Sequence, residues 1–197
     1  MNRRLPIYFL IDVSRSMGGD KMAAVNEGLQ GIINKLRKDP VALETGYISI
    51  ITFSTEARQV VPLTSVIDIQ LPVIKALGWT NLEVGLSQLL NCMDKEIVPN
   101  NIELEQKGDY KPIVVIFSDG GQSRGEWHNI IDRVHARFAR CQNVTAFVAT
   151  GGQYRSYFDE LKEIVGPNGN AVALNDFDAT SFARVIDIVT QSVSRAL

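Results

Sequence analysis

Five oxygen-bearing side chains are spaced along the sequence in a way that could hold a metal ion. They are Asp12, Ser14 and Ser16 in the stretch DVSRS, Thr80 in GWTNL and Asp119 in FSDGG. These hard oxygen ligands, with no sulfur or imidazole among them, suit Mg²⁺ or Mn²⁺, and Ca²⁺ is a further candidate. Only two of the five carry charge, and five oxygens leave a position of an octahedral ion open, so such a cation would accept a carboxylate from outside.

Taken singly, each of these clusters also has an ordinary structural interpretation. An Asp or Ser that follows a strand often caps the next helix, and Thr80 could do the same at the start of a helix. Asp-Gly is a common turn, in which Gly120 and Gly121 would let the backbone turn tightly. The choice between a turn and a metal site therefore depends on whether the fold brings the clusters together.

An enzymatic alternative starts from Asp12. An aspartate directly after the first strand could be the phosphorylated nucleophile of an Mg²⁺-dependent phosphatase of the haloacid dehalogenase type. Such enzymes place a second aspartate two residues further on as general acid, and here that position is Ser14, which is too weak an acid for the role. We therefore expect a binding protein rather than an enzyme.

The elements that must position these residues alternate between short apolar runs and helical patterns. The run 5–12 is almost wholly apolar, as in a strand covered on both faces, whereas 21–39 has one apolar helical stripe with Pro40 behind it as a stop. Pro62 places the strand over 57–63 at an edge. The other predicted strands are 47–53, 111–119, 143–150 and 171–175, and the other predicted helices are 80–97, 126–140, 155–165 and one from about 179.

Strands that alternate with helices predict an α/β fold: a doubly wound, mostly parallel six-stranded sheet with one antiparallel edge strand and helices on both faces. Ligands bind such sheets at the carboxyl ends of the strands, near the point where the strand order reverses. Asp12 ends the first strand and Asp119 ends the fourth. The three polar clusters are therefore expected to converge at the functional edge of the sheet.

Composition and charge narrow the class of protein. The 197 residues, 45% of them hydrophobic, suit one globular domain over 1–197. A formal net charge of −2 with scattered Lys and Arg argues against a nucleic-acid partner, and no apolar run approaches the roughly 18 residues of a membrane span. The start MNRRLPIYFLID has basic residues but lacks the cleavage site of an export signal. Cys92 and Cys141 are far apart in sequence and form no CxxC motif, so we expect both to be buried free thiols. Both observations favour a cytoplasmic protein.

At these residues the sequence resembles the von Willebrand factor A domains. Asp12, Ser14, Ser16, Thr80 and Asp119 stand where that family carries its metal-ion-dependent adhesion site. The resemblance implies that the hydroxyls contact the metal directly or through water, that the aspartates act directly or from behind the other ligands, and that an acidic side chain of a partner protein completes the octahedron. Three residues depart from the family pattern, namely Arg15 in place of a glycine within DxSxS, Trp79 in place of a glycine before the threonine, and Ser118 in place of the threonine in the usual Thr-Asp-Gly.

A narrower resemblance covers the stretches LPIYFLIDVSRSM, AVNEGLQ and DPVALETGYISIITFSTEARQVVPLT. They look like the compact bacterial A-domain proteins of the TerY-like group, which is associated with tellurite resistance. The resemblance implies a binding module of a cytoplasmic stress-response system. Its implied partners are a protein kinase, a phosphatase of the PP2C type or other tellurite-resistance proteins.

Overall fold

The apolar runs form the strands of one sheet in the computed structural model, which describes residues 3–101, 103, 105, 107–120, 126–149 and 155–197. Gly121, expected to share a turn with Gly120, lies outside the described residues. The strands are β1 (Leu5–Asp12), β2 (Gly46–Phe53), β3 (Ala57–Ser65), β4 (Ile113–Ser118), β5 (Asn143–Ala149) and β6 (Asn170–Leu174).

The six strands lie in the order β3-β2-β1-β4-β5-β6. All neighbours are parallel except β2 and β3, which form an antiparallel pair at one edge. Pro62 lies in that edge strand, where its missing N–H costs no ladder hydrogen bond on the outer side. This arrangement confirms the predicted fold class.

The strand order reverses between β1 and β4. From β1 the chain moves to β2 on one side, whereas β4 pairs with β1 on the other side in a register that sets Ile11 beside Phe117. Asp12, the last residue of β1, therefore faces the end of β4, and Asp119 follows one residue after that strand. Both aspartates lie at the edge where such sheets bind ligands.

Six α-helices among the described residues cover the two faces of the sheet. They are α1 (Asp20–Leu36), α2 (Pro40–Thr45), α3 (Leu82–Glu96), α4 (Ile131–Phe138), α5 (Arg155–Val165) and α6 (Ala179–Ala196), with 3₁₀ turns at Arg15–Met17 and Trp127–Ile130. The buried residues of α1, α2 and α6 belong to one apolar cluster, and those of α3, α4 and α5 belong to a second cluster on the opposite face. Gly28 lets α1 approach α6 closely, because a Cβ there would lie 2.0 Å from the Phe182 ring.

Helix boundaries differ from the sequence prediction around Pro40 and before Ile131. Pro40 was expected to stop the first helix, but α1 ends at Leu36 and Pro40 is the first residue of α2. Proline fits that position because the first helical N–H has no partner within the helix, and the Asp39 carboxylate caps the N–H groups of Val41 and Ala42 instead. The helix expected over 126–140 contains α4 only from Ile131, since a 3₁₀ turn precedes it.

No helix in the described ranges has both the length and the apolarity needed to span a bilayer.

Candidate functional site

Asp12 is fully buried at the end of β1, and both of its oxygens accept hydrogen bonds. The backbone N–H of Ser14 donates to Oδ1 at 2.8 Å, and the Ser118 hydroxyl donates to Oδ2 at 2.9 Å. The second contact follows from the register of β1 against β4, which the sequence pattern does not reveal. Ser118 is therefore a residue of the site that the sequence analysis did not predict as one.

A chain of oxygens leads from the first loop to Asp119. The Oγ atoms of Ser14 and Ser16 lie 3.1 Å apart, and Ser16 donates to Asp119 Oδ1 at 2.9 Å. Ser14 precedes the 3₁₀ turn over Arg15–Met17 in an extended conformation, and Ser16 lies within that turn. After Asp119 the chain turns through Gly120, whose φ of 77° is readily adopted by glycine.

Thr80 lies in the loop beside this chain of oxygens. Two backbone hydrogen bonds hold that loop against the first one, from Leu77 N–H to Val13 O at 2.6 Å and from Arg15 N–H to Gly78 O at 3.1 Å. The Thr80 side chain is buried, and within the described ranges its hydroxyl has no hydrogen-bond partner.

The expectation that Thr80 begins a helix was wrong. Asn81 is the N-cap of α3 and accepts the Val84 N–H through Oδ1 at 3.3 Å. Asn competes well for this position because its short side chain reaches the free N–H groups of the first turn. Thr80 therefore does not cap α3.

Burial dominates the electrostatics of Asp12. Loss of hydration raises its pKa to about 6, the charge of Asp119 acts in the same direction, and the hydrogen bonds from Ser14 and Ser118 oppose both. A nearby cation would favour the ionised form of this carboxyl.

Lys21 is a second residue that the sequence analysis missed. Its ammonium group lies 2.8 Å from Asp119 Oδ2 and 3.2 Å from the carbonyl oxygen of Ser16. The residue belongs to the first turn of α1, and that turn lies at the same sheet edge as Asp119. The predicted start of the helix at Lys21 was the signal that could have drawn attention to it.

Arg15 and Trp79, two of the departures from the family pattern, contact each other beside the site. The guanidinium carbon of Arg15 lies 5.4 Å from the centroid of the Trp79 ring, a cation–π arrangement. The Trp79 residue is 52% exposed. The Arg15 side chain makes no hydrogen bond or ion pair with any residue in the described part of the chain.

The donor set fits a hard divalent cation. Asp12, Ser14, Ser16 and Asp119 are joined by hydrogen bonds among themselves and with Ser118, while Thr80 presents a hydroxyl from the adjoining loop. Among the described residues, no three His, Cys, Asp or Glu side chains are grouped closely enough to hold a metal. Cys92 and Cys141 are free thiols away from this cluster, Cys92 buried as predicted and Cys141 half-buried.

Similarity to solved structures extends over nearly the whole chain. The pilus adhesin SpaC from Lactobacillus rhamnosus GG gives a TM-score of 0.71 at 12% identity, covering 99% of this chain and 31% of the adhesin. The PilB minor pilin from Streptococcus sanguinis gives 0.65 at 14% identity, covering 96% and 62%. The conserved hypothetical protein BatB from Bacteroides thetaiotaomicron gives 0.59 at 12% identity, covering 96% and 99%.

These similarities show the fold alone, since the identities are low and this chain spans less than two thirds of the pilin and the adhesin. No curated protein sequence matches the chain. The family model of the von Willebrand factor type A domain, however, matches residues 7–189. Because this match covers most of the chain, the protein belongs to the von Willebrand factor type A domain family.

Proposed function

We propose that this A domain is a metal-dependent protein-binding module. Asp12, Ser14, Ser16, Thr80 and Asp119 would hold a divalent cation, Mg²⁺ or Mn²⁺ with Ca²⁺ as a further candidate, and the cation would supply a Lewis-acidic position for a carboxylate oxygen. The observation that carries the proposal is the chain of oxygens from Ser14 through Ser16 to Asp119. It brings residues more than 100 positions apart in sequence to hydrogen-bonding distance at the ligand-binding edge of the sheet.

The partner is proposed to present an Asp or Glu to this face. Residues 12–18, 78–81 and 119–120 form its described part, and 121–123, which we also expected to contribute, lie outside the described residues. The Arg15 guanidinium adds positive charge at the rim, and Trp79 adds an exposed aromatic surface beside it. Positive charge favours an acidic partner, and exposed aromatic rings commonly anchor protein interfaces.

Two observations weigh against the phosphatase alternative. A nucleophile needs an accessible oxygen, but Asp12 is fully buried and both of its oxygens already accept hydrogen bonds. The position of the general acid holds Ser14. We therefore propose that the module binds and does not catalyse.

The cellular role that we propose rests on the resemblance to the TerY-like group. It is that of a cytoplasmic stress-response module linked to tellurite resistance, with a protein kinase, a PP2C-type phosphatase or another tellurite-resistance protein as partner. The support is the set of long sequence stretches around the site and along β1 to β3.

Capture of partners from an extract of cells that carry the gene tests this function. The wild-type chain immobilised in Mg²⁺ should retain a specific protein that EDTA releases and that Thr80→Ala binds poorly, because the variant lacks one ligand oxygen. Thr64→Ala is the matched control, since Thr64 pairs with Ile48 at the other end of the sheet. Equal recovery by all variants, with and without EDTA, would show that the metal face is not the interface.

A further inference from the structure

The Asp119 carboxylate already has a cationic partner within the chain. Lys21 Nζ lies 2.8 Å from Oδ2, while the Ser16 hydroxyl binds Oδ1 at 2.9 Å. The Asp119 side chain is only 3% exposed. Hydrogen bonds from these two partners therefore replace the contacts with water that the carboxylate loses on burial. Asp12, by contrast, is bound by an N–H and a hydroxyl, and no cationic side chain among the described residues contacts it.

This pair changes the charge that a bound cation would meet. Two carboxylates and one ammonium group leave the site with a single net negative charge, whereas the carboxylates alone would fully neutralise a divalent ion. The neighbouring Asp20 is exposed, so water screens its charge from the site. A divalent cation at this site would therefore carry an excess positive charge.

We propose that Lys21 is an internal competitor of the divalent cation for Asp119, and that it lowers the affinity of the site for metal. The proposal rests on the metal-binding function given above. Its consequence is that the ammonium group, displaced from Asp119 but held beside the site by its side chain, leaves the loaded site with a positive charge, which the carboxylate of a partner neutralises. Lys21 would thus couple metal retention to the presence of an acidic partner.

The flexibility of the lysine side chain suits this role. About a third of it is exposed, and its stem is long and rotatable, so the ammonium group can move away from Asp119 at little cost. The Ser16 hydroxyl also binds Asp119, and Gln in place of Lys21 keeps a hydrogen-bond donor, so the fold is expected to tolerate loss of the charge. Loss of the charge should therefore act mainly on cation affinity.

The test is a calorimetric titration of Mg²⁺, with Mn²⁺ as a second ion, into the wild type and Lys21→Gln. Gln can still donate a hydrogen bond to Asp119 but carries no charge, so the variant is expected to fold and to bind the ion about three to ten times more tightly. Lys21→Arg keeps the charge and should bind within about twofold of the wild type.

Lys35→Gln is the matched control. It removes a lysine of the same helix, paired with Asp187 at 2.6 Å, that lies about 21 Å along α1 from Lys21. Equal or weaker metal binding by Lys21→Gln would overturn the competition while leaving the metal site intact. Absence of saturable binding by both proteins would overturn the metal-binding function itself, and with it this inference.

Discussion

At each end of β1 lies a buried aspartate side chain paired with a basic side chain that is about one-third exposed. At the amino end, Arg4 and Asp109 have side chains that are 28% and 4% exposed, and at the carboxyl end Lys21 and Asp119 are 31% and 3% exposed. Burial and charge are thus nearly identical. The difference lies in which groups bind the two carboxylates.

At the amino end the donors are fixed in place. Arg4 donates to both oxygens of Asp109, at 2.9 and 2.7 Å, and the backbone N–H of Val98 donates to Oδ2 at 2.8 Å. The same guanidinium donates to the carbonyl oxygen of Glu96 at 2.8 Å. The hydrogen bonds from Arg4 to the Asp109 carboxylate raise the pKa of Arg4. A planar fork and a backbone group cannot be exchanged for a ligand without breaking the structure.

At the carboxyl end the donors are a rotatable hydroxyl and a flexible ammonium group. Ser16 is exposed, and its oxygen can turn from the carboxylate to a cation. The comparison shows that similar ion pairs can differ in role. The Arg4–Asp109 pair fixes the structure at the amino end of β1, whereas we propose that a ligand displaces Lys21 from Asp119 at the carboxyl end.

The largest effect is expected at the amino end. Asp109→Ala leaves the Arg4 guanidinium and the Val98 N–H without their acceptor, so the free energy of unfolding should fall by about 2–4 kcal/mol. Urea unfolding of the wild type and the variant measures this difference in the free energy of unfolding. Asp187→Ala is the control, because its pair with Lys35 is exposed on both sides and should be worth at most about 1 kcal/mol. An Asp109 variant as stable as this control would show that the two ends of β1 do not differ in this way.

A smaller effect at the same end is expected from Tyr8→Phe. The Tyr8 hydroxyl is buried and donates to Glu96 Oε2 at 3.1 Å, and the loss of hydration on burial raises its pKa. Removal of this single hydrogen bond should cost about 0.5–1.5 kcal/mol in the free energy of unfolding and leave metal binding unchanged. A change in Mg²⁺ affinity in this variant would mean that the two ends are coupled.

Much of this arrangement could be predicted from the sequence because it depends on local patterns. The apolar runs, the helical stripes and Pro62 at an edge lead directly to the observed sheet, and the alternation in DVSRS places its oxygens together. Contacts that depend on register or on distant pairing could not be predicted. The Ser118 hydroxyl donates to Asp12 only because β1 pairs with β4, and Arg4 donates to Asp109, which lies 105 residues further along the chain.

The contacts made by the start of the chain, MNRRLPIYFLID, could not be predicted either, because they also depend on distant pairing. The sequence pattern offers for its arginines only a likeness to the basic residues of an export signal. In the structure Arg3 donates to the carbonyl oxygens of Gly108 and Asp109, and Arg4 binds the Asp109 side chain. Charge in a short stretch of sequence does not reveal the partner that the fold supplies.

The most direct test of the metal site is a thermal melt of the wild type and Asp12→Asn with and without Mg²⁺. A ligand at 100 times its Kd stabilises by about 2.7 kcal/mol, which for a chain of this size is a rise of roughly 5–10 °C in Tm. The wild type and the control Asp187→Asn should show this rise. Asp12→Asn should lack it while melting without metal at or above the wild-type temperature, because a neutral amide is less costly to bury than a carboxylate. An equal Mg²⁺-induced shift in Asp12→Asn, or none in the wild type, would contradict the proposed metal site.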